Sequence, residues 1–242
     1  MILFLTSSPG GMIRENGQVR ACELCRENDF VKNLRRYWRD DSKVLFIAAY
    51  PDSFEKNDVN GKLFEESLPL SGLGISKVDI MDNRELGFRP GDYDVVILSG
   101  GHVPTQNAFF HKVGLKEKLL DFDGILIGIS AGTMNSAEVV YAQPEENGEA
   151  VDPDYKRFIP GLGLTELMIV PHYQFWKNDT LDDLRLLEDI TYPDSMGRKI
   201  YLLTDGSYVL VEAGKSIVYG EAYLAENGIL SQVSREGEHH EL

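Results

Sequence analysis

The sequence predicts an α/β fold: a three-layer αβα arrangement around a mostly parallel central sheet, ending in short C-terminal β-hairpins. Three observations predict it. Apolar runs of strand length recur through the first half, at 2–7, 43–49, 93–98 and 124–129, and strands covered on both faces read as such continuous runs. Segments with helical spacing separate them, which is the alternation of a parallel sheet with helices on both faces. Beyond residue 199 the pattern changes to short strands broken by Asp205-Gly206, Gly214 and Gly220, the spacing of hairpins.

Length and composition set the frame. A chain of 242 residues can bury a full core, and we expect one domain spanning 1–242. Hydrophobic residues at 43% and charged residues at 26% fit a soluble globular protein. No apolar run approaches the roughly 18–20 residues that cross a bilayer. The opening residues 1–8 lack the basic flank of an export signal, so the cytoplasm is the default compartment. Net charge is −15, from 39 acidic and 24 basic residues. That works against nucleic acid or an anionic membrane as partner, because both need a basic footprint.

In order, 2–7 reads as the first strand and Pro9-Gly10-Gly11 as a flexible loop. Residues 27–39 place Phe30, Val31, Leu34, Tyr37 and Trp38 at helical spacing. A buried strand at 43–49 follows, then a helix from about 53 to 70 and an edge-like alternating strand at 75–80. The buried run 93–98 ends in Ser99-Gly100-Gly101, and 107–120 reads as a helix. The strand 124–129 feeds a tight turn and a helix over 133–141. Residues 143–154 are acidic and read as a surface loop, 164–170 as a strand and 180–190 as an amphipathic helix. Short strands are expected at 199–204, 208–212, 216–219 and 221–224, with 236–242 a frayed tail.

The chemistry centres on Gly128-Ile129-Ser130-Ala131-Gly132. Strand, Gly-x-Ser-x-Gly and helix in succession is the context of a nucleophile elbow, whose strained turn requires small residues on either side of the Ser. The alternative is a Ser that merely caps the helix. Serine needs a base within hydrogen-bond reach, and His172, at the end of an apolar strand, is the candidate; its alternative is a structural His. Asp205, at the end of another strand, is the candidate for the group that orients the imidazole, and its alternative is a hairpin turn. Backbone amides of Gly101 and Ala131 are candidates for an oxyanion hole. No Walker pattern or G-x-G-x-x-G supports a nucleotide. Cys22 and Cys25 form one C-x-x-C with no second pair, and the five His residues lack metal-ligand spacing. Ordinary half-buried thiols are expected, with no metal site.

Taken together, these residues resemble the peptidase E and cyanophycinase family, serine peptidases on a class I glutamine amidotransferase-like sheet. The likeness runs over most of the chain: Ser99-Gly100-Gly101, then the elbow followed by Asn135, then Pro171-His172-Tyr173, then Thr204-Asp205-Gly206-Ser207. It implies Ser130 as nucleophile, His172 as base and Asp205 as acid, acting on small peptides with no metal or cofactor. A dipeptidase, in its narrower form one acting on N-terminal aspartate, and a homodimer are its further implications.

The sequence also departs from that pattern. After the double glycine, peptidase E enzymes place Asn-Thr, which helps hold substrate; here the loop reads His102-Val103-Pro104-Thr105-Gln106-Asn107. Asn107 is the candidate replacement, and Tyr173 the second candidate substrate-binding residue. The family's acid is often Glu, one methylene longer than Asp205. A basic residue should read an aspartate side chain, and the nearest after His172 are Lys177 and Arg185. Two alternatives stand beside the peptidase: a catalytically inactive binding module of the same fold, and glutamine amide hydrolysis, which uses Cys at the elbow where this chain has Ser.

Overall fold

The computed structural model describes residues 1–15 and 17–242. The chain opens with β1 (Ile2–Thr6) and a hairpin of β2 (Gly10–Glu15) and β3 (Gln18–Leu24). Helix α1 (Phe30–Arg35) leads to β4 (Ser42–Ile47), α2 (Phe54–Leu70), β5 (Ile75–Met81) and β6 (Val95–Leu98). Helices α3 (Val103–Lys112) and α4 (Leu115–Lys118) precede β7 (Ile125–Ile129), which runs straight into α5 (Ala131–Asn135). The pair β8 (Val139–Tyr141) and β9 (Phe158–Pro160) is followed by β10 (Met168–Val170) and α6 (Tyr173–Trp176). A small hairpin of β11 (Thr180–Leu181) and β12 (Leu184–Arg185), a π-helical turn at Leu186–Thr191 and α7 (Tyr192–Asp194) come next. The chain closes with β13 (Lys199–Leu203), β14 (Tyr208–Glu212), β15 (Lys215–Tyr219), β16 (Ala222–Glu226), β17 (Ile229–Ser234) and β18 (His239–Glu241).

Eight strands form the main sheet, in the order β18-β15-β14-β1-β7-β6-β4-β5. The five from β1 to β5 in that order run parallel, and β14, β15 and β18 extend the sheet antiparallel. Side chains alternate between the faces of a strand, and the two faces feed two cores. Phe4, Val44, Phe46, Val95, Ile97, Ile125 and Ile127 pack with Phe30, Val31 and Leu34 of α1 and Phe64 and Leu68 of α2. On the other face Leu3, Leu5, Leu45, Ile47, Val96, Leu98 and Leu126 meet Phe109 and Phe110 of α3 and Leu115 of α4. A second sheet, β10-β13-β16-β17, shares this face through Ile169, Tyr201, Leu203 and Ala222. Burying each such side chain contributes roughly 1.5–3 kcal/mol before the entropy of ordering it.

The buried strands and α2 lie where the sequence places them, and several other elements differ. Gly10 and Gly11 begin a strand of the β2–β3 hairpin, not a flexible loop. The helix expected over 27–39 reduces to α1, after a 3-10 turn interrupted by Asn28 and Asp29 at positive φ. The helix expected over 107–120 breaks at Gly114, whose φ is +61°, into α3 and α4. That expected over 133–141 stops at Asn135, and its second half is β8. Residues 180–190 form a hairpin and a wide helical turn, in which the Thr191 hydroxyl donates to the Leu186 carbonyl at 2.8 Å. Strands β13 and β14 are not a hairpin, because Asp205 and Gly206 carry the chain from one sheet to the other. The tail expected to fray is β18, paired with β15. No helix among the described residues is long and apolar enough to cross a membrane.

Candidate active site

Strand β7 ends at Ile129, and Ser130 takes φ 49° and ψ −111° before α5 begins. That conformation is uncommon for a residue with a side chain and stores strain. Its neighbours make it possible: a Cβ on Gly132 would stand 2.3 Å from the Leu98 carbonyl oxygen, and one on Gly128 would stand 2.9 Å from the Thr133 backbone. The central strand holds the turn in place. The Thr6 carbonyl accepts the Ser130 N–H at 3.1 Å and the Thr133 hydroxyl at 2.7 Å, while the Thr6 hydroxyl donates to the Gly128 carbonyl at 2.8 Å.

Two further segments reach the same point. His172 lies between β10 and α6 at φ 59°, and its Nε2 is 3.0 Å from Ser130 Oγ. Its Nδ1 is 2.6 Å from Asp205 Oδ1, on the turn between β13 and β14. Ser7, one residue beyond β1 and fully buried, joins both partners. Its hydroxyl donates to Asp205 Oδ1 at 2.7 Å and accepts the His172 N–H at 2.8 Å. The Asp205 N–H donates to Gln174 Oε1 at 3.1 Å. Burial pushes the Asp205 carboxyl up, but hydrogen bonds from His172 and Ser7 and the His172 charge outweigh it and hold it below the usual carboxylate range. An ionised Asp205 accepts from Nδ1–H, which leaves the Nε2 lone pair facing the Ser130 hydroxyl.

The Ser99-Gly100-Gly101 turn meets the elbow from the other side. A Cβ on Gly100 would lie 3.4 Å from Ser130 Cβ. The Tyr50 hydroxyl takes the His102 N–H at 3.0 Å, whereas the N–H groups of Gly100 and Gly101 meet no acceptor among the described residues. The Ala131 N–H opens α5 and lacks an acceptor within the helix. Beneath the turn lies a buried amide network. Gln106 Nε2 donates to the Ser99 carbonyl at 2.7 Å, and Asn135 Nδ2 donates to Gln106 Oε1 at 3.0 Å and to the Val103 carbonyl at 3.1 Å.

Both candidate substrate-binding residues sit elsewhere. The Asn107 amide donates to Asn135 Oδ1 and to the Pro160 carbonyl, each at 2.9 Å, so it braces this network instead of facing the cleft. The Tyr173 ring is buried against Trp176 and Tyr223, with centroids 5.4 and 4.6 Å away.

Ser130 and His172 lie between two concavities. One, of about 300 Å³, is lined by Ser7, Met12, Phe46, Phe64, Gly100 and Gly101, among others. The other, of about 180 Å³, is lined by Met134, Gln143, Glu145, Val170, Pro171 and Trp176. Ligands of open α/β sheets sit at the carboxyl ends of the strands, and both concavities lie there. A third, of about 360 Å³, lies at the amino ends beside Ile2, Ser42 and Ile125, away from Ser130.

Donor atoms of His102, Glu146 and Glu149 lie within 4.8 Å of one another. His102 is already engaged through both ring nitrogens, with Thr105 Oγ1 and Glu149 Oε1, each at 2.8 Å. Glu149 Oε2 accepts the N–H groups of Glu145 and Glu146 at 2.9 and 3.0 Å. The group therefore reads as a clip fastening residues 145–149 to the turn after β6. Cys22 and Cys25 are unpaired and half-buried. Burial, with Glu27 and Asp205 nearby, raises the Cys25 thiol to about 11, the opposite of a reactive thiolate. Sequence reasoning missed Ser7, Gln174, Glu145 and Trp176; for Ser7 the available signal was its place at the carboxyl end of a buried strand.

The family model for peptidase family S51 matches residues 26–219. In fold, the chain is similar to the crystal structure of a peptidase from an acI-B1 actinobacterium, at 17% identity and TM-score 0.68, over 100% of this chain and 96% of that one. It is also similar to a protein from Listeria monocytogenes EGD-e provisionally assigned to peptidase E, at 16% identity and TM-score 0.57, over 96% and 98% of the two chains. No curated protein matches the chain.

Proposed function

The chain belongs to peptidase family S51, and from that premise we propose that this serine peptidase hydrolyses small peptides with Ser130 as nucleophile, His172 as general base and acid, and Asp205 as the orienting carboxylate. The observation that carries this reading is the continuous contact from Asp205 Oδ1 to His172 Nδ1 at 2.6 Å and from His172 Nε2 to Ser130 Oγ at 3.0 Å. Ser130 Oγ attacks the peptide carbonyl while Nε2 takes its proton, and Asp205 stabilises the imidazolium that results. The N–H groups of Gly101 and Ala131 face the developing oxyanion, where two donors contribute most if they need not reorganise. Nε2 then protonates the departing amine. A water, deprotonated by the same imidazole, cleaves the acyl-enzyme and restores Ser130.

The test is a fluorophosphonate probe applied beside a dipeptide library. The wild type should label at Ser130 and release amino acids, and Ser130→Ala and His172→Ala should do neither. An intact, folded wild type that is silent in both assays overturns the proposal and favours the inactive-module reading.

A further inference from the structure

We propose that Glu145 makes the cleft beside Ser130 select a cationic group on the substrate, an ammonium or a guanidinium, over the carboxylate of an N-terminal aspartate. The inference rests on the hydrolase reading, which makes the cleft a substrate site, and adds the chemistry of what enters it.

The first support is the charge inventory. Among the residues lining the two concavities that flank Ser130, the ionisable side chains are His172 and Glu145, and there is no lysine or arginine. The two cations nearest in sequence after His172 are engaged elsewhere. Arg185 binds Asp189 through two nitrogens at 2.9 and 2.7 Å, and Lys177 Nζ lies over the Tyr173 ring, 5.7 Å from its centroid. An anionic substrate group would leave water and meet no cationic side chain in that lining, which is costly.

The second support is how Glu145 is held. Its N–H donates to Glu149 Oε2, and Glu149 is fixed in turn by His102 and the Glu146 N–H. The backbone is thereby pinned, while the Glu145 carboxyl has no hydrogen bond or ion pair among the described residues. Protein atoms crowding the carboxyl, then Glu149 and Glu146, push its pKa up to about 8. The residue stays accessible to solvent, which tempers the effect of burial, but the two neighbouring carboxylates act in the same direction. A cation arriving in the concavity reverses that push and favours the ionised form.

The third support is Trp176 on the same wall. Its Nε1–H donates to the Pro171 carbonyl at 2.7 Å, which fixes the indole in place. An aromatic wall beside a carboxylate suits a cation.

The cation could be a free α-ammonium or a lysine or arginine side chain, and one titration series separates them. Calorimetry on Ser130→Ala would compare N-acetyl-Lys-Ala amide, N-acetyl-Ala-Lys amide and Ala-Ala amide with N-acetyl-Asp-Ala amide. At least one cationic ligand should bind tenfold or more tightly than the aspartyl peptide, and which one does identifies the source of the charge. Adding Glu145→Gln should remove most of that advantage. If the double variant fails to fold, exchanging lysine for norleucine in the ligand reads the same pairing. Equal or tighter binding of the aspartyl peptide, no binding by any cationic ligand, or an advantage unchanged by Glu145→Gln overturns the proposal. Binding is read here without turnover, so a failure of cation selection is distinct from a failure of hydrolysis in the wild type.

Discussion

Ser7 touches Asp205 and the backbone of His172 with one hydroxyl, donating to the carboxylate at 2.7 Å and accepting the His172 N–H at 2.8 Å. The first residue past the central strand thus sets the spacing between two groups contributed by distant loops. Ser7→Ala removes a hydrogen bond to a charged group, worth about 1.5–3 kcal/mol. It should lower kcat/KM by about 10–100-fold, mostly in kcat, and shift the acid limb of the pH–rate profile. Ser7→Thr, which keeps the hydroxyl, should recover part of both. A purely structural role would leave the pH profile in place.

Asp205 ties stability to pH. Its folded pKa is depressed, so it contributes stability above the unfolded value of about 3.9, and that contribution is lost as pH falls through the folded pKa. Urea midpoints of the wild type and Asp205→Asn should differ near pH 5, where the His172 charge adds to the effect, and converge as pH falls below about 4. The carboxylate is one-third exposed, so the difference is modest. A gap that widens as pH falls below about 4 would contradict the assignment.

Gly132→Ala tests the elbow by volume alone. The added methyl would meet the Leu98 carbonyl oxygen at 2.3 Å, and the backbone on both sides would have to yield. Overpacking of this kind costs about 1–3 kcal/mol. Chemical denaturation should show that loss, together with disappearance of fluorophosphonate labelling, because any relief displaces Ser130.

His102→Ala tests the clip. Without the imidazole, Glu149 keeps only the two backbone donors and residues 145–149 loosen. A lost hydrogen bond of about 0.5–1.5 kcal/mol corresponds to a rise in KM of about 2–10-fold. Steady-state kinetics should show KM moving more than kcat, since His102 touches neither Ser130 nor His172 in the structure.

The central strands were legible because both of their faces are covered. Val44 to Ile47 and Val95 to Leu98 have no polar face to obscure the run. The hairpin of β2 and β3 was not legible, because most of its side chains face solvent and the Pro9-Gly10-Gly11 entry reads as a loop. The helix after Ser130 read as too long. Asn135 turns its side chain into the amide network, and Ala137 bridges to Thr165 instead of continuing the helix. Within the cleft, Ser130, His172 and Asp205 each end an apolar segment, which made them visible. Ser7 and Glu145 carry no such mark: one is a common residue after a strand, the other one acid in an acidic loop. Asn107 and Tyr173 were read from their neighbours in sequence, and packing turned both inward.

The Thr6 carbonyl holds the Ser130 amide and the Thr133 hydroxyl from the middle of the eight-stranded sheet. Heat that frays the rim strands β5 or β18 leaves that grip untouched, so inactivation should follow the cooperative melting of the sheet's interior, with one midpoint for both. A preparation that loses activity well before its secondary structure would have to be failing at the flanking loops, not at the serine's own foundation.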